Sequence, residues 1–434
     1  MNNANPSPPD FGDRRTALRL GLLLPLLGIT VLQRFGLTLS ANYALQSALI
    51  GTYVLLGIAV VRGYLELAPW RVIVILAGGS IATLSLLLNT TDAMTLGKTS
   101  MSSLMLLLAM YLPLAFRLRP DPRNKDDLDW LLDMLGNLIL LTAIFGVVQF
   151  VVQFGLKDPL LFDFTPLIPE VLRGPTGFNT VIPVGNLFKS NGFFIREPSG
   201  ASFLMAFGII LELTRGRRPW RLAVLIGALL LTYSGTGLLA LAIGLMFPFG
   251  VKTVLRYVGA AVVGGALLWA FGDALNLSFT LGRIGEFQSE QSSAYIRYIA
   301  PMRLIAETWE ASATAFWLGN GPGSILRTEV GYAFHDPTWA KAIFEYGVPG
   351  LLCFVALFGL MMHESGLGSS VKATLFAYWL IMGGHLLTPE SIHLSWLLLA
   401  FVPVAQKKAK LPHTGLGTAA AFSPAFPLPR GRSG

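Results

Sequence analysis

The sequence predicts an all-α membrane protein, a polytopic bundle of about 12 transmembrane helices with a large external loop. Hydrophobic residues make up 53% of the 434 residues and charged residues only 13%, and the mean hydropathy is +0.61. This composition is typical of proteins that span a membrane many times. Apolar runs near the length that a bilayer needs, about 20 residues, recur along the chain.

Composition and charge also exclude several classes of protein. The single cysteine, Cys353, lies in an apolar run, which excludes an internal disulfide and a cysteine site for zinc or an iron–sulfur cluster. The net charge of +8 comes from Lys and Arg residues in short segments between apolar runs. That placement sets membrane orientation and does not indicate nucleic-acid binding.

The order of segments follows from the apolar runs. Residues 1–13 are polar and Pro-rich and predict a disordered cytoplasmic tail, and residues 411–434 predict a second one. Residues 14–410 form the transmembrane bundle. The candidate spans lie near 17–33, 41–61, 70–89, 99–116, 129–154, 199–214, 219–234, 236–250, 253–271, 341–362, 371–388 and 392–405.

The orientation follows from the basic residues between the spans. With twelve spans, clusters such as Arg14/Arg15, Arg117/Arg119 and Arg215/Arg217 all fall on one side, which is predicted to be cytoplasmic. The loops 155–198 and 272–340 then lie on the external face. Long polar loops between spans lie in water and are the first place to seek chemistry, although a passive extramembrane cap has the same pattern.

The first candidate site residue is Arg196, at the end of the 155–198 loop. Pro198, directly before an apolar run, predicts a helix start, and Glu197 lies between Arg196 and Pro198. Free N–H groups and the dipole at a helix start favour anions, and an arginine there can bind a diphosphate with two hydrogen bonds. An Arg196–Glu197 helix cap is the alternative.

Two further arginines, Arg297 and Arg303, lie in an imperfectly amphipathic segment that predicts a helix lying on the bundle. They are candidate phosphate ligands or interface anchors. The run Gly319-Asn-Gly-Pro-Gly-Ser324 predicts a tight turn but lacks the Gly-Lys-Ser/Thr ending of a P-loop.

His335 is the only histidine in the two long external loops, and a neutral imidazole there can take a proton from an acceptor hydroxyl. A loop histidine bonded to backbone is the alternative. His385 and His393 flank the short external turn that holds Glu390, and metal binding by the two histidines is an alternative. No third ligand is evident beside them, so no metal is predicted. The scarcity of ionisable groups within the spans disfavours an ion-coupled transporter.

The ordered motifs resemble the O-antigen ligase and O-antigen or exopolysaccharide polymerase superfamily. They are Arg196-Glu-Pro-Ser199, Ser234-Gly-Thr-Gly237, Arg297, Gly319-Asn-Gly-Pro-Gly-Ser324, His335-Asp336 and Glu345-Tyr-Gly-Val-Pro-Gly350. The resemblance covers roughly residues 185–360. At Ser234-Gly-Thr-Gly the sequence departs from the many relatives that have an arginine after the serine, which leaves one substrate contact unexplained.

The resemblance implies an undecaprenyl-diphosphate-linked glycan donor, a glycan acceptor and no metal or other cofactor. Arg196 and Arg297 would bind the donor diphosphate, and His335 would act on the acceptor hydroxyl. These three are the predicted catalytic residues. The predicted substrate-binding residues are Arg303, Glu197, Ser199, Ser234 and Asp336.

The favoured function is a polysaccharide polymerase of the bacterial inner membrane, with its active site facing the periplasm. It would work beside a flippase and a chain-length regulator. A ligase that moves the finished glycan to lipid A-core or another acceptor is the second hypothesis. A non-enzymatic flippase or assembly subunit is the third.

Overall fold

A computed structural model describes most of the chain. The described residues are 11–40, 43–91, 97–156, 158–216, 218–247, 292, 294–382 and 386–403. The predicted span 253–271, residues 272–291 of the second loop, His385 and the predicted tail 411–434 lie outside them. Helix α1 begins at Phe11, so the last three residues of the predicted tail 1–13 are helical.

Thirteen α-helices lie in the described ranges and are numbered here in chain order. They are α1 Phe11–Ile29, α2 Ser47–Val61, α3 Pro69–Thr91, α4 Met101–Tyr111, α5 Asn124–Val152, α6 Pro198–Leu211, α7 Pro219–Leu231, α8 Gly235–Met246, α9 Ala300–Ala311, α10 Ala313–Leu318, α11 Thr338–Glu364, α12 Ser369–Ala377 and α13 Pro389–Leu399. An α-helix occupies most of each predicted span within these ranges except 371–388, where α12 ends at Ala377 and a π-helical turn, Tyr378–Met382, follows it. Four of the helices begin with proline. Proline fits the first turn because the N–H that it lacks would have no partner within the helix there.

The structure is mostly helical, but it also contains short strands that the sequence did not predict. They form three antiparallel pairs: β1 Gly36–Ser40 with β2 Tyr43–Gln46, β3 Leu65–Leu67 with β4 Phe116–Leu118, and β5 Pro183–Val184 with β6 Leu187–Phe188. At two to five residues they are too short to show an alternating apolar pattern. Their pairing satisfies backbone groups in the connections between helices.

Three of the helices, α3, α5 and α11, are long and apolar enough to cross a membrane. Apolar side chains on several helices face outward, and Leu20, Leu76, Leu87 and Leu352 are each more than half exposed. Helices that are apolar on both faces are expected in a lipid environment. The described chain therefore has the features of a membrane protein.

Several basic residues form ion pairs at one end of the bundle, which we call the basic end. They are Arg15–Asp127 at 2.8 Å, Arg71–Glu364 at 2.8 Å and Arg215–Asp129 at 2.6 Å. The pairs join the starts of α1, α3 and α5 to the end of α11 and to the turn after α6. The starts of α1, α3 and α5 and the ends of α6 and α11 therefore lie at the same end of the bundle.

The opposite end holds the 155–198 loop against the end of α1 through Arg34. This fully buried guanidinium donates to Asp163 Oδ1 at 2.6 Å and to the carbonyl oxygens of Phe162 at 2.6 Å and Ile195 at 2.8 Å. Helix α6 is buried at every position from Ala201 to Leu211 and so lies at the centre of the bundle. The residues before α6 are thereby fixed at the middle of this end.

Candidate functional site

A cleft opens at the end of the bundle opposite the basic end, with a volume of about 120 Å³ accessible to water. The 155–198 loop, the start of α6, the segment before α9, the loop before α11 and the turn before α13 all contribute to its wall. Its polar and charged lining residues are Gln33, Arg196, Glu197, Ser199, Arg297, His335, Tyr378, Thr388 and Glu390. The structure thus brings together the three predicted catalytic residues, Arg196, Arg297 and His335.

Arg196 lies two residues before Pro198, the first residue of α6, with Glu197 at the N-cap position. Its buried guanidinium forms an ion pair with Glu390 and stacks on the Phe178 ring at 4.2 Å from the ring centre. Within the described part of the chain, its Nη1 atom has no hydrogen-bond partner. A buried donor without a partner is rare in folded proteins and calls for an explanation such as a catalytic role or a bound water or ion.

Glu390 is the second residue of α13 and is the cleft residue whose role the sequence did not reveal. Besides Arg196, its carboxylate meets Gln46 at the end of β2. The Gln46 amide, oriented with its nitrogen toward the carboxylate, donates to Oε2 at 2.8 Å and to Oε1 at 3.0 Å. Glu390 therefore ties three elements, β2, α6 and α13, together at the cleft.

In the sequence analysis, metal binding was an alternative for Glu390, His385 and His393. His393 is buried, and its Nε2 lies 3.3 Å from the carbonyl oxygen of Met110. The described residues contain no group of three His, Cys, Asp or Glu side chains placed to bind a metal ion. Glu390 instead contacts an arginine and an amide.

Glu197 and Ser199 both line the cleft, at the start of α6. Ser199 Oγ donates to Glu197 Oε2 at 3.0 Å, and the backbone N–H of Asn179 donates to Glu197 Oε1 at 3.3 Å. The carboxylate thus links the 155–198 loop to the helix start. Both residues therefore lie beside Arg196 in the cleft wall.

Arg297 enters the cleft from a π-helical turn, Tyr295–Ile299, that runs directly into α9. Its Nη1 donates to Thr236 Oγ1 at 3.2 Å. Thr236 belongs to the Ser234-Gly-Thr-Gly motif, so this motif contacts the cleft arginine through its threonine. Ser234 is the N-cap residue of α8, and it is not among the residues that line the cleft.

His335 is exposed at the cleft mouth, and its backbone N–H donates to the carbonyl oxygen of Ile296 at 2.9 Å. Ile296 directly precedes Arg297. The bond therefore holds the backbone of His335 beside the π-helical turn that carries Arg297.

Asp336, predicted to bind substrate, lies away from the cleft. The buried carboxylate accepts a hydrogen bond of 3.2 Å from Lys341 Nζ, and Lys341 is also 3.2 Å from Glu345 Oε1 in the next turn of α11. Asp336 is buried beside α11, whereas the preceding residue, His335, is exposed at the cleft mouth. Asp336 thus anchors the His335 loop to α11.

Arg303, also predicted to bind substrate, lies on the exterior of α9. Its guanidinium is 2.8 Å from Glu307 Oε1 and lies over the Tyr332 ring at 4.4 Å. The Tyr332 hydroxyl donates to Glu307, and burial together with this carboxylate raises the pKa of Tyr332 to about 12. Arg303 is about half exposed and is not among the residues that line the cleft.

The glycine-rich turn 319–324 packs against a kink in α11. Its backbone N–H groups at Asn320 and Gly321 donate to Phe344 and Glu345 carbonyls, at 2.8 and 3.1 Å. Gly319 and Gly347 both have positive φ, of 68° and 69°. A Cβ on Gly319 would lie 2.3 Å from the Glu345 carbonyl carbon, and one on Gly347 would lie 2.5 Å from that of Trp317. This turn therefore has a structural role.

No protein-family model matches the chain, and no curated protein matches it.

Proposed function

We propose that the protein is a polysaccharide polymerase that joins undecaprenyl-diphosphate-linked oligosaccharide repeat units by metal-independent glycosyl transfer. The observation that carries the proposal is the meeting of Arg196, Arg297 and His335 in one cleft. Two arginines and a histidine provide the groups that this transfer requires, which are ligands for a diphosphate and a base for a hydroxyl.

The donor diphosphate is assigned to Arg196 and Arg297. Glu390 and Phe178 hold one edge and one face of the Arg196 guanidinium and leave Nη1 without a partner among the described residues. Arg297 is bonded to a neutral threonine, and its positive charge is opposed by no carboxylate in the described structure within ion-pair distance. Guanidinium groups with spare donors suit a diphosphate because each can form two parallel hydrogen bonds with it.

The transfer is a single displacement. The acceptor hydroxyl oxygen attacks the anomeric carbon of the donor sugar, while the bond from that carbon to the diphosphate oxygen breaks. The leaving diphosphate takes the bonding electron pair, and the two arginines stabilise its growing negative charge. His335 accepts the hydroxyl proton. The products are a lengthened glycan with inverted anomeric configuration and undecaprenyl diphosphate.

We further propose that the chain crosses the bacterial inner membrane about twelve times, with the basic end in the cytoplasm and the cleft facing the periplasm. The basic residues grouped at one end of the bundle support this orientation. The apolar donor tail would remain in the bilayer beside the cleft. A flippase that delivers the donor and a separate regulator of chain length would lie nearby.

The proposed orientation is tested with single cysteines introduced at Ser292 and Lys125, in a Cys353→Ala background. In intact cells an impermeant thiol reagent should label position 292 and leave position 125 unlabelled.

The test of the activity uses purified protein and a synthetic undecaprenyl-diphosphate-linked repeat unit. A ladder of longer lipid-linked glycans, with release of undecaprenyl diphosphate, is expected, and it should persist in EDTA. If transfer occurs only after lipid A-core is added, the protein is a ligase and not a polymerase. Donor binding without any transfer, with either acceptor, would reject the enzyme.

A further inference from the structure

Tyr378, which was not predicted from the sequence, also lines the cleft. It is the first residue of a π-helical turn, Tyr378–Met382, that directly follows α12. Arg297 likewise enters the cleft from a π-helical turn. Such turns are rare in proteins and are found frequently at functional sites. The shared geometry indicates that Tyr378, like Arg297, is placed to contact a ligand.

The Tyr378 side chain is held against α6 and is less than a tenth exposed. Its ring stacks on the Phe203 ring, with 3.5 Å between the ring centres and 8° between the planes. The phenol lies within electrostatic reach of three charged residues of the cleft, Glu390, Arg196 and Glu197. Its hydroxyl is not hydrogen-bonded to any residue within the described ranges. The stack thus fixes the ring and leaves the hydroxyl able to donate to a ligand.

The start of α6 supplies further hydrogen-bond donors to the same cleft. Glu197, the N-cap residue, forms no side-chain hydrogen bond with the backbone of the first turn. The backbone N–H groups of Ser199 and Gly200, which both line the cleft, donate to no residue that the structure describes. Arg196 is more than nine-tenths buried beside them, and its Nη1 also lacks a described partner. Free N–H groups and the helix dipole favour an anion at such a helix start.

We propose that Tyr378 is a further donor-binding residue, whose hydroxyl bonds one phosphate group of the lipid diphosphate at the start of α6. The same phosphate accepts hydrogen bonds from Arg196 Nη1 and from the N–H groups of Ser199 and Gly200. The inference rests on the proposed function, because it names the part of the cleft that the donor diphosphate occupies. The donors favour a phosphate over a sugar hydroxyl, since a phosphate presents several strong acceptor oxygens at once. Arg297 is then available to the second phosphate.

The test is titration of the purified full chain with undecaprenyl diphosphate, measured by microscale thermophoresis. This lipid carries the diphosphate without a sugar, so binding is measured in the absence of transfer. Tyr378→Phe removes the hydroxyl and keeps the ring stack. Its Kd should rise roughly 10–100-fold, the loss expected for one hydrogen bond to a charged group. Its unfolding temperature should equal that of the wild type, because the hydroxyl has no described partner to lose. The matched control is Tyr332→Phe, which removes a hydroxyl that donates to Glu307 outside the cleft and should bind as the wild type.

Three results would overturn the proposal. One is wild-type affinity in Tyr378→Phe. Another is a lower unfolding temperature of this variant, which would give the hydroxyl a structural role. The third is an equal loss of affinity for undecaprenol, which lacks the phosphates, because Tyr378 would then act on the lipid tail. A wild-type protein that binds undecaprenyl diphosphate but transfers no sugar would reject the polymerase, while the difference between the two titrations would still support the Tyr378 contact.

Discussion

Arg196 and Glu390, 194 positions apart in the chain, form a buried ion pair between the start of α6 and the first turn of α13. Each side chain is less than a tenth exposed. A buried pair of this kind contributes specificity of position more than net stability, but the loss of one partner leaves a buried charge. Glu390 is therefore inferred to be a positioning residue for Arg196.

The first prediction concerns Glu390. Glu390→Ala should destabilise the protein by about 3–5 kcal/mol because Arg196 and Gln46 lose their shared partner. Glu390→Gln keeps hydrogen bonding and should cost less, but it should weaken donor binding because Arg196 is no longer held by a charge. Thermal unfolding and donor titration measure the two effects. Glu66→Gln, which breaks a partly exposed pair with Arg117, should cost under about 1 kcal/mol. A Glu390→Ala protein as stable as the wild type would contradict the positioning role.

The second prediction concerns the cleft arginines. Arg196→Lys and Arg297→Lys retain the charge but lose the planar fork, so each should reduce polymer formation by roughly 10²–10³-fold. The measurement is the initial rate of undecaprenyl diphosphate release at matched protein concentration. Arg303→Lys, on the exterior of α9, serves as the control and should remain near the wild-type rate. Normal activity in either cleft variant removes that arginine from the site.

The third prediction separates catalysis from binding at His335. His335→Ala removes the base while both arginines remain, so kcat should fall roughly 10²–10⁴-fold with little change in donor affinity. Steady-state kinetics together with donor titration measure the two quantities. His363→Ala, near the end of α11 at the basic end, is the matched control and should behave as the wild type. Parallel losses of kcat and donor affinity would assign His335 a binding role.

The sequence predicted the parts of this structure that depend on local patterns. The start of α6 at Pro198 follows from a proline before an apolar run, and the helices of the described spans follow from hydropathy alone. Arg196 and Arg297 could be selected because arginines at helix starts and on interfacial helices suit anions. These inferences need no knowledge of which helices pack together.

Long-range pairing could not be predicted. Nothing near Glu390 in the sequence indicates Arg196 or Gln46 as partners, because the contacts require α13 to pack beside α6 and β2. The same reason hid Thr236 as the partner of Arg297. Arg303 was predicted from the amphipathic segment that it shares with Arg297, and Asp336 was predicted from the His335-Asp336 motif. Neither lines the cleft, and each forms an ion pair outside it. Ser234 does not line the cleft, and Thr236, two residues later in the same motif, contacts Arg297 instead.

The fourth prediction concerns pH and Asp163. Burial raises the pKa of this carboxyl, but hydrogen bonds from Thr165 and the charge of Arg34 outweigh it, so the pKa is lowered overall. A lowered pKa means that the ionised carboxylate stabilises the fold above its usual pKa of about 3.9 and that the benefit is lost as the pH falls below it. Asp163→Asn should therefore cost about 1–3 kcal/mol at pH 7, and the difference from wild type should shrink by pH 3.

Thermal unfolding between pH 3 and pH 7 measures this effect. Glu170→Gln, an exposed residue of the same loop, provides the matched control and should follow the wild type at every pH. A difference for Asp163→Asn that stays constant across the range would show that the carboxylate charge is not the cause.

The fifth prediction concerns the turn and the kink. Gly319→Ala and Gly347→Ala should each destabilise the protein by about 2–5 kcal/mol, since each combines positive φ with overlap of a backbone atom. Gly331→Ala, where a Cβ would meet nothing within 4 Å, should be near neutral. The measurement is thermal unfolding in detergent. If the glycine variants unfold at the wild-type temperature, the close contact between turn and kink is wrong.

The contact between Gly319 and Gly347 has a consequence for how the chain can evolve. Each glycine leaves space for the backbone that carries the other, so a side chain gained at one position cannot be offset by a change at the second. Selection should remove a substitution at either glycine unless the backbone of both the turn and the kink changes as well. Among diverged descendants of this chain, we expect the two glycines to be kept together or replaced together, which makes them a paired marker of common ancestry.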